Sequence, residues 1–212
     1  MKRIVPIAKE GWPLLVPVVL AGVLATILGW HLAGGVLLAC ALGLGLFFRD
    51  PKRDAAHSPA DVVCPADGKV VGITEVHEGD YLKSACRRIS IFMSLFDVHI
   101  NYAPVAGTVE YLKYRTGGFR RANLPEASLR NENNSVGIGG DGRRVMVRQI
   151  AGTIARRIVC KVRENEAVRA GQRIGLIKFG SRVDLFIPAS WEVLVKEGDR
   201  VRGGLSQIAR IG

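Results

Sequence analysis

A mainly β chain with an N-terminal helical membrane hairpin is the fold this sequence predicts, and three observations predict it. From Pro13 to Phe48 no Asp, Glu, Lys or Arg interrupts the apolar sequence. Beyond Asp50, short apolar runs alternate with glycine turns, and 25 glycines with few aromatics favour a turn-rich sheet over long helices. In the second half, "VRENEAVRAG" (162–171) and "VKEGDRVRGG" (195–204) align at an offset of 33 residues, so a repeated strand-and-turn unit is expected.

The apolar stretch exceeds one membrane span of about 20 residues and is read as two short helices. Gly29, Gly34 and Gly35 cluster where a hairpin would turn. Each helix would have about 17 residues, the lower limit for spanning, so an interfacial hairpin is the alternative. His31 is costly in a bilayer if charged, which predicts a neutral ring near the turn. Lys2, Arg3 and Lys9 precede the segment and Arg49, Lys52 and Arg53 follow it, so the positive-inside rule places both ends, and the soluble part, in the cytoplasm. A signal peptide has a shorter apolar region, and a lipoprotein cleaved before Cys40 would not continue apolar beyond it. Cys64, Cys86 and Cys160 form no CxxC pair, so reduced thiols are expected, with neither a metal site nor a disulfide scaffold.

This gives a hairpin over 1–49 and a β domain over 50–212. In the domain, "VVCPADGKVVGITEV" reads as strand, turn at Ala66-Asp67-Gly68 and strand, and "RRISIFMSLFDVHINYAPVAGTVEYLKY" as several more strands. From Arg115 to Arg144 the chain is polar and glycine-rich and reads as a long loop or lid, whose Arg115, Arg120 and Arg121 suit phosphate or an anionic membrane surface. The repeat, with the Ala-Gly-Thr turns of "APVAGTV" and "QIAGTIA", resembles the hairpins of biotinyl and lipoyl carrier domains, which predicts an antiparallel sandwich or flattened barrel. No Met-Lys-Met tip of the carrier type is present. The net charge of +11 predicts a polyanionic partner. The membrane segment selects anionic lipid, and the absence of a nucleic-acid motif or aromatic platform argues against nucleic acid.

In "LIKFGSRVDLFIP" (176–188) a Gly180-Ser181 pair interrupts two strand-like runs, and on its own it reads as a hairpin turn. His99 follows Asp97 by two residues, so both face one side of a strand. Asp67 in Ala-Asp-Gly is an ordinary turn residue. Residues alone therefore leave two classes open: an enzyme, or a membrane-anchored, non-catalytic carrier-like adaptor.

Five motifs in order separate them. "FFRDPKR", "PADGKV", "FDVHINYAPVAG", "RNE" and "FGS" are similar to the short, bacterial type of phosphatidylserine decarboxylase, from about Phe47 to the end. The resemblance implies a bacterial membrane enzyme that makes a pyruvoyl group by cutting itself. Ser181 Oγ attacks the carbonyl of Gly180, the ester undergoes β-elimination, and chains 1–180 and 181–212 result, the second beginning with pyruvoyl. Glycine gives the backbone freedom for that attack, and serine supplies both nucleophile and leaving group. The implied reaction is decarboxylation of phosphatidylserine to phosphatidylethanolamine. Its implied partners are the phospholipid, an anionic membrane surface and the cleaved C-terminal chain, with a homo-oligomer left open. Ser181, His99 as base and Asp67 as its orienting acid match the family's catalytic positions, without a metal. Tyr102 stands where longer members carry a second histidine, and Arg182 where they carry a hydroxyl residue. Tyr102, Asn131, Glu132 and Arg182 are the expected substrate contacts.

Overall fold

The computed structural model describes residues 6–53, 55–118, 130–152, 157–178 and 181–212. Gly180, Arg120 and Arg121 lie outside the described residues. The chain divides into two compact units, 1–52 and 53–212.

The first unit is a pair of helices, α1 (Trp12–Ile27) and α2 (His31–Phe47). Pro13 sits in the first turn of α1, where its missing N–H breaks no helical bond. Gly29, at φ +82°, makes the reversal. Gly34 lies in α2 and serves packing: a Cβ there would come within 2.2 Å of Thr26 Oγ1. The expected glycine cluster thus divides between turn and helix contact. The pair is closed at its base, where the Ala8 N–H donates to the Phe48 carbonyl at 2.8 Å. Leu20, Ile27, Leu32 and Leu42 point outward and stay exposed, an apolar surface that suits lipid better than water. Among the described residues, Lys9–Ile27 is the helix long and apolar enough to cross a membrane, and α2, at 17 residues, falls at the short limit.

The second unit is antiparallel sheet. Its strands are β1 (Asp61–Val63), β2 (Gly68–Glu78), β3 (Ser84–Met93), β4 (Ile100–Tyr102), β5 (Gly107–Arg115), β6 (Asn133–Gly140) and β7 (Arg143–Ala151). They continue as β8 (Arg157–Cys160), β9 (Ala167–Val168), β10 (Arg173–Lys178), β11 (Ser181–Pro188), β12 (Glu192–Val193), β13 (Arg200–Val201) and β14 (Gln207–Arg210). One sheet runs β13-β2-β3-β11-β7-β6-β5-β9, and two smaller ones run β1-β14-β12 and β4-β10-β8. The expected mainly β class holds, as a curled half-barrel.

The repeat is present in three dimensions. Residues 165 and 198 both take positive φ (65° and 96°), as do Gly171 and Gly204 (75° and 69°). Glu166 and Asp199 each cap their turn, accepting from the N–H of Arg163 at 3.0 Å and of Lys196 at 2.9 Å. Their carbonyls accept from the Val109 and Val70 N–H groups, both at 2.9 Å. The order of the large sheet is accordingly palindromic, with β13, β2, β3 and β11 answering β9, β5, β6 and β7. This strand order lends no support to the carrier-domain likeness.

The expected loop over 115–144 is corrected in part. Residues 133–140 form β6, inside the sheet between β5 and β7, and 143–144 begin β7. The sequence looked like loop because Asn133, Asn134 and Ser135 are polar, yet all three are buried. Asn134 and Ser135 hydrogen-bond to Gln149 and Arg148 of β7, which makes polar residues tolerable at the centre of a sheet.

Candidate active site

The strands on either side of Gly180-Ser181 do not pair as a hairpin. β10 and β11 belong to different sheets, so the chain changes sheet between Lys178 and Ser181. Ser181 opens β11, registered against Met93 of β3 on one side and Ala151 of β7 on the other. The alternation of β11 sends Ser181, Val183, Leu185 and Ile187 to one face, where the last three join the main core. Ser181 is wholly buried, and its hydroxyl donates to Met93 Sδ at 3.4 Å.

The same sulfur receives Asn101 Nδ2 of β4 at 3.7 Å. Behind it, Gln149 Nε2 donates to Asn101 Oδ1 at 2.8 Å, and Asn134 Nδ2 donates to Gln149 Oε1 at 2.9 Å. All three carboxamides are buried and run head to tail, each directing its N–H toward the serine end, an arrangement in which successive dipoles reinforce one another. The sequence reading missed Met93, Asn101, Gln149 and Asn134. A signal existed: Gln149 breaks the apolar run of β7, and Asn101 follows His99 by two residues.

His99 is buried at the entry to β4, whose strand pairs with β10. Its carbonyl accepts from the Ile177 N–H at 3.2 Å, so it lies beside the strand that leads into the Gly180-Ser181 junction. Its Nδ1 is 2.9 Å from the Asp97 carbonyl. A carbonyl only accepts, so Nδ1 carries the proton and Nε2 is the basic nitrogen of the neutral ring.

Asp67 forms its own cluster. Its carboxylate receives Arg53 at both oxygens, with Nη2 at 2.8 Å, and the Gly203 N–H at 2.7 Å. Arg53 Nη1 also donates to the Gly203 carbonyl, and its guanidinium lies 5.2 Å from the centre of the Tyr102 ring. Burial opposes the charge on Arg53, but the Asp67 hydrogen bond and neighbouring charges outweigh it and hold the guanidinium above its ordinary value. Tyr102 packs on Gly203, where a Cβ would come within 2.8 Å of the ring. The Tyr102 N–H donates to the Pro65 carbonyl at 2.9 Å, tying the strand that follows His99 to the Asp67 turn. Asp67 and Tyr102 are thus brought together through Arg53, while the Nδ1 partner of His99 is Asp97. Arg53, which sequence reasoning counted only for its charge, was legible as the last residue of "FFRDPKR".

Cys64 lies beneath this turn, its thiol 3.1 Å from the Ala66 carbonyl. Burial pushes it up from 9.0 to about 12. Native alkylation at neutral pH is therefore expected to spare Cys64 and denaturation to expose it, as peptide mass would show. Because the folded value is the raised one, the stability tied to this neutral thiol is complete below about 9 and is lost as pH climbs toward 12.

The remaining expected residues are placed as follows. Asn131 is buried, and its Nδ2 donates at 2.7 Å to the carbonyl of Ala151, the neighbour of Ser181 in the sheet. Glu132 is half-buried and accepts from Tyr114, whose phenol it pushes up to about 12. Arg182 is buried on the opposite face of β11, forked onto Asp184 through Nε at 2.7 Å and Nη2 at 2.8 Å. Among the described residues, no group of His, Cys, Asp and Glu could hold a metal ion.

Comparison with known proteins agrees with the motifs. Residues 44–209 match the phosphatidylserine decarboxylase family model. A phosphatidylserine decarboxylase proenzyme of Carboxydothermus hydrogenoformans is 42% identical over 212 residues, covering 100% of this chain and 99% of the relative. Proteins of the same name from Symbiobacterium thermophilum and Magnetococcus marinus are 44% and 40% identical, each covering 97% of this chain and 95% of the relative. The chain belongs to the phosphatidylserine decarboxylase family.

Proposed function

We propose that this protein is a carboxy-lyase that converts phosphatidylserine to phosphatidylethanolamine and CO2, with a pyruvoyl group made from its own Ser181. One observation carries the reading: in a chain of this family, a wholly buried serine hydroxyl stands at the junction where the chain leaves one sheet for another. Burial keeps water from competing with the serine, and the carboxamide of Asn101 supplies a donor at the same sulfur. These features suit a self-processing serine.

In maturation His99 Nε2 takes the Ser181 Oγ proton, and Oγ forms a bond to the carbonyl carbon of Gly180. The peptide C–N bond breaks, the nitrogen gains a proton, and the two segments are joined by an ester. Loss of the Ser181 Cα proton then expels the carboxylate of residue 180. The dehydroalanine left behind takes up water and releases ammonia, which leaves pyruvoyl at 181. When present, that group supplies a carbonyl that condenses with the substrate amine and accepts electrons as CO2 departs. His99 returns a proton to the carbon that lost CO2. Asp67 acts through Arg53, holding Tyr102 and the Gly203 segment in place. Glu132 suits the substrate ammonium, Asn131 steadies the strand beside Ser181, and Tyr102 completes the proposed head-group contacts, whereas Arg182, forked onto Asp184 on the far face of β11, anchors that strand instead of meeting the substrate.

The cleaved piece 181–212 would stay in place, because β11 is hydrogen-bonded on both edges and three of its side chains lie in the core. The hairpin would hold the enzyme at a bacterial membrane with the domain 50–212 facing the cytoplasm. The intact mass under denaturing conditions tests the reading. Two chains are expected, 1–180 and 181–212, the second without a free amine. A single uncut chain in a preparation that decarboxylates phosphatidylserine would overturn it.

A further inference from the structure

Between β3 and β4 the chain makes a tight turn, Ser94-Leu95-Phe96-Asp97, that runs against the rule of apolar burial. Leu95 is 45% exposed and Phe96 87% exposed, although both lie within four residues of the buried His99. The turn is not loose. The Asp97 carboxylate accepts from the Ser94 N–H at 2.8 Å and the Ser94 hydroxyl at 2.7 Å, and the Asp97 N–H donates back to the Ser94 carbonyl at 3.0 Å. Arg200 Nη1 braces the other carboxylate oxygen at 3.0 Å, with its side chain 74% exposed. Lys69, also exposed, lies directly across from Arg200 in the sheet. A rigid apolar tip therefore stands beside two cations.

We propose that Leu95 and Phe96 form a tip that inserts into the interface of an anionic phospholipid bilayer and seats the domain there, so that a lipid head group reaches His99. The proposal rests on the phospholipid reading above and adds the surface that meets the lipid. Three features select a bilayer as the occupant. Apolar side chains beside a basic pair match the layered chemistry of an anionic membrane interface. The tip is continuous with the site, since the Asp97 carbonyl of the same turn receives His99 Nδ1. Two neighbouring side chains also offer far less than the roughly 800 Å² per partner of a stable protein interface, which disfavours a second copy.

The test uses the full-length, matured protein with two substrates: phosphatidylserine in phosphatidylcholine vesicles, and a dispersed short-chain phosphatidylserine. Phe96→Ser is expected to lower the vesicle rate by roughly tenfold to a hundredfold through apparent KM, from the loss of one buried aromatic side chain. Its extent of self-cleavage and its rate on the dispersed substrate are expected to stay unchanged, and Phe96→Trp to restore the vesicle rate. Equal rates on vesicles would overturn the proposal, as would an equal loss on both substrates, which would make the turn part of the site or fold. A vesicle rate that follows a change in oligomeric state would assign the tip to a second copy instead. If the unaltered protein decarboxylated neither substrate, the functional reading would fail, and the tip would be judged by fluorescence alone. The emission that Phe96→Trp adds to the parent is expected to be quenched by vesicles of brominated anionic lipid, and unquenched emission would reject insertion.

Discussion

Replacing Ser181 by alanine is expected to leave a folded, uncut chain of 212 residues with no decarboxylase activity. Among the described residues the hydroxyl donates to one acceptor, the soft sulfur of Met93. Its removal leaves that weak acceptor still facing Asn101, and a β-methyl fits wherever Ser181 Cβ already sits. The cost in stability should therefore be small, within about 1 kcal/mol. The cost in chemistry is total, because alanine can neither attack the preceding carbonyl nor leave by elimination. Intact mass, thermal unfolding and CO2 release together make the check. A cut Ser181→Ala chain would remove Ser181 as nucleophile. An uncut chain that still decarboxylated would remove the pyruvoyl group from the reaction, whatever the fate of the peptide bond.

How much of this was legible in the sequence varies with the physics behind each element. The helical hairpin was legible because a run without charges has few alternatives, and the repeat because paired turns need Gly or Asn at fixed places: the 33-residue offset reappears at Asn165 and Gly198 and again at Gly171 and Gly204. β6 was not legible. Its Asn-Asn-Ser start is loop-like by propensity, and only the amide and guanidinium partners contributed by β7 make it strand. The candidate site could be read as a set of proposed positions but not as a set of contacts. Asp67, His99 and Ser181 could be picked out from motifs, whereas the Arg53 fork on Asp67 and the carboxamide chain behind Asn101 join residues distant in sequence. No periodicity encodes such pairs. The change of sheet at Lys178–Ser181 was hidden for the same reason: two strands separated by two residues look like a hairpin until their partners are known.

Asp184 carries the second large expected effect. On the face of β11 opposite Ser181, it is wholly buried and receives both arms of the equally inaccessible Arg182. Arg148, across the register on β7, is a second buried cation. Burial pulls Arg148 below its ordinary value, against the support of Asp184 and Glu78. Asp184→Ala would leave Arg182 without its carboxylate and remove the Arg148 support, at an expected cost of about 3–5 kcal/mol. Against a total of about 5–15 kcal/mol, that is enough to depress folding and, with it, self-cleavage. Removing both charges should do less harm than removing one, since an apolar pair of similar volume needs no desolvation. Arg182→Met/Asp184→Leu is therefore expected to recover most of the thermal stability and the cut chains that Asp184→Ala loses, as melting and intact mass would show. The same double variant separates two roles for Arg182. An unchanged KM for phosphatidylserine would confine it to the ion pair that anchors the head of β11. A raised KM at full maturation would show that the pair also positions Ser181 through the strand they share.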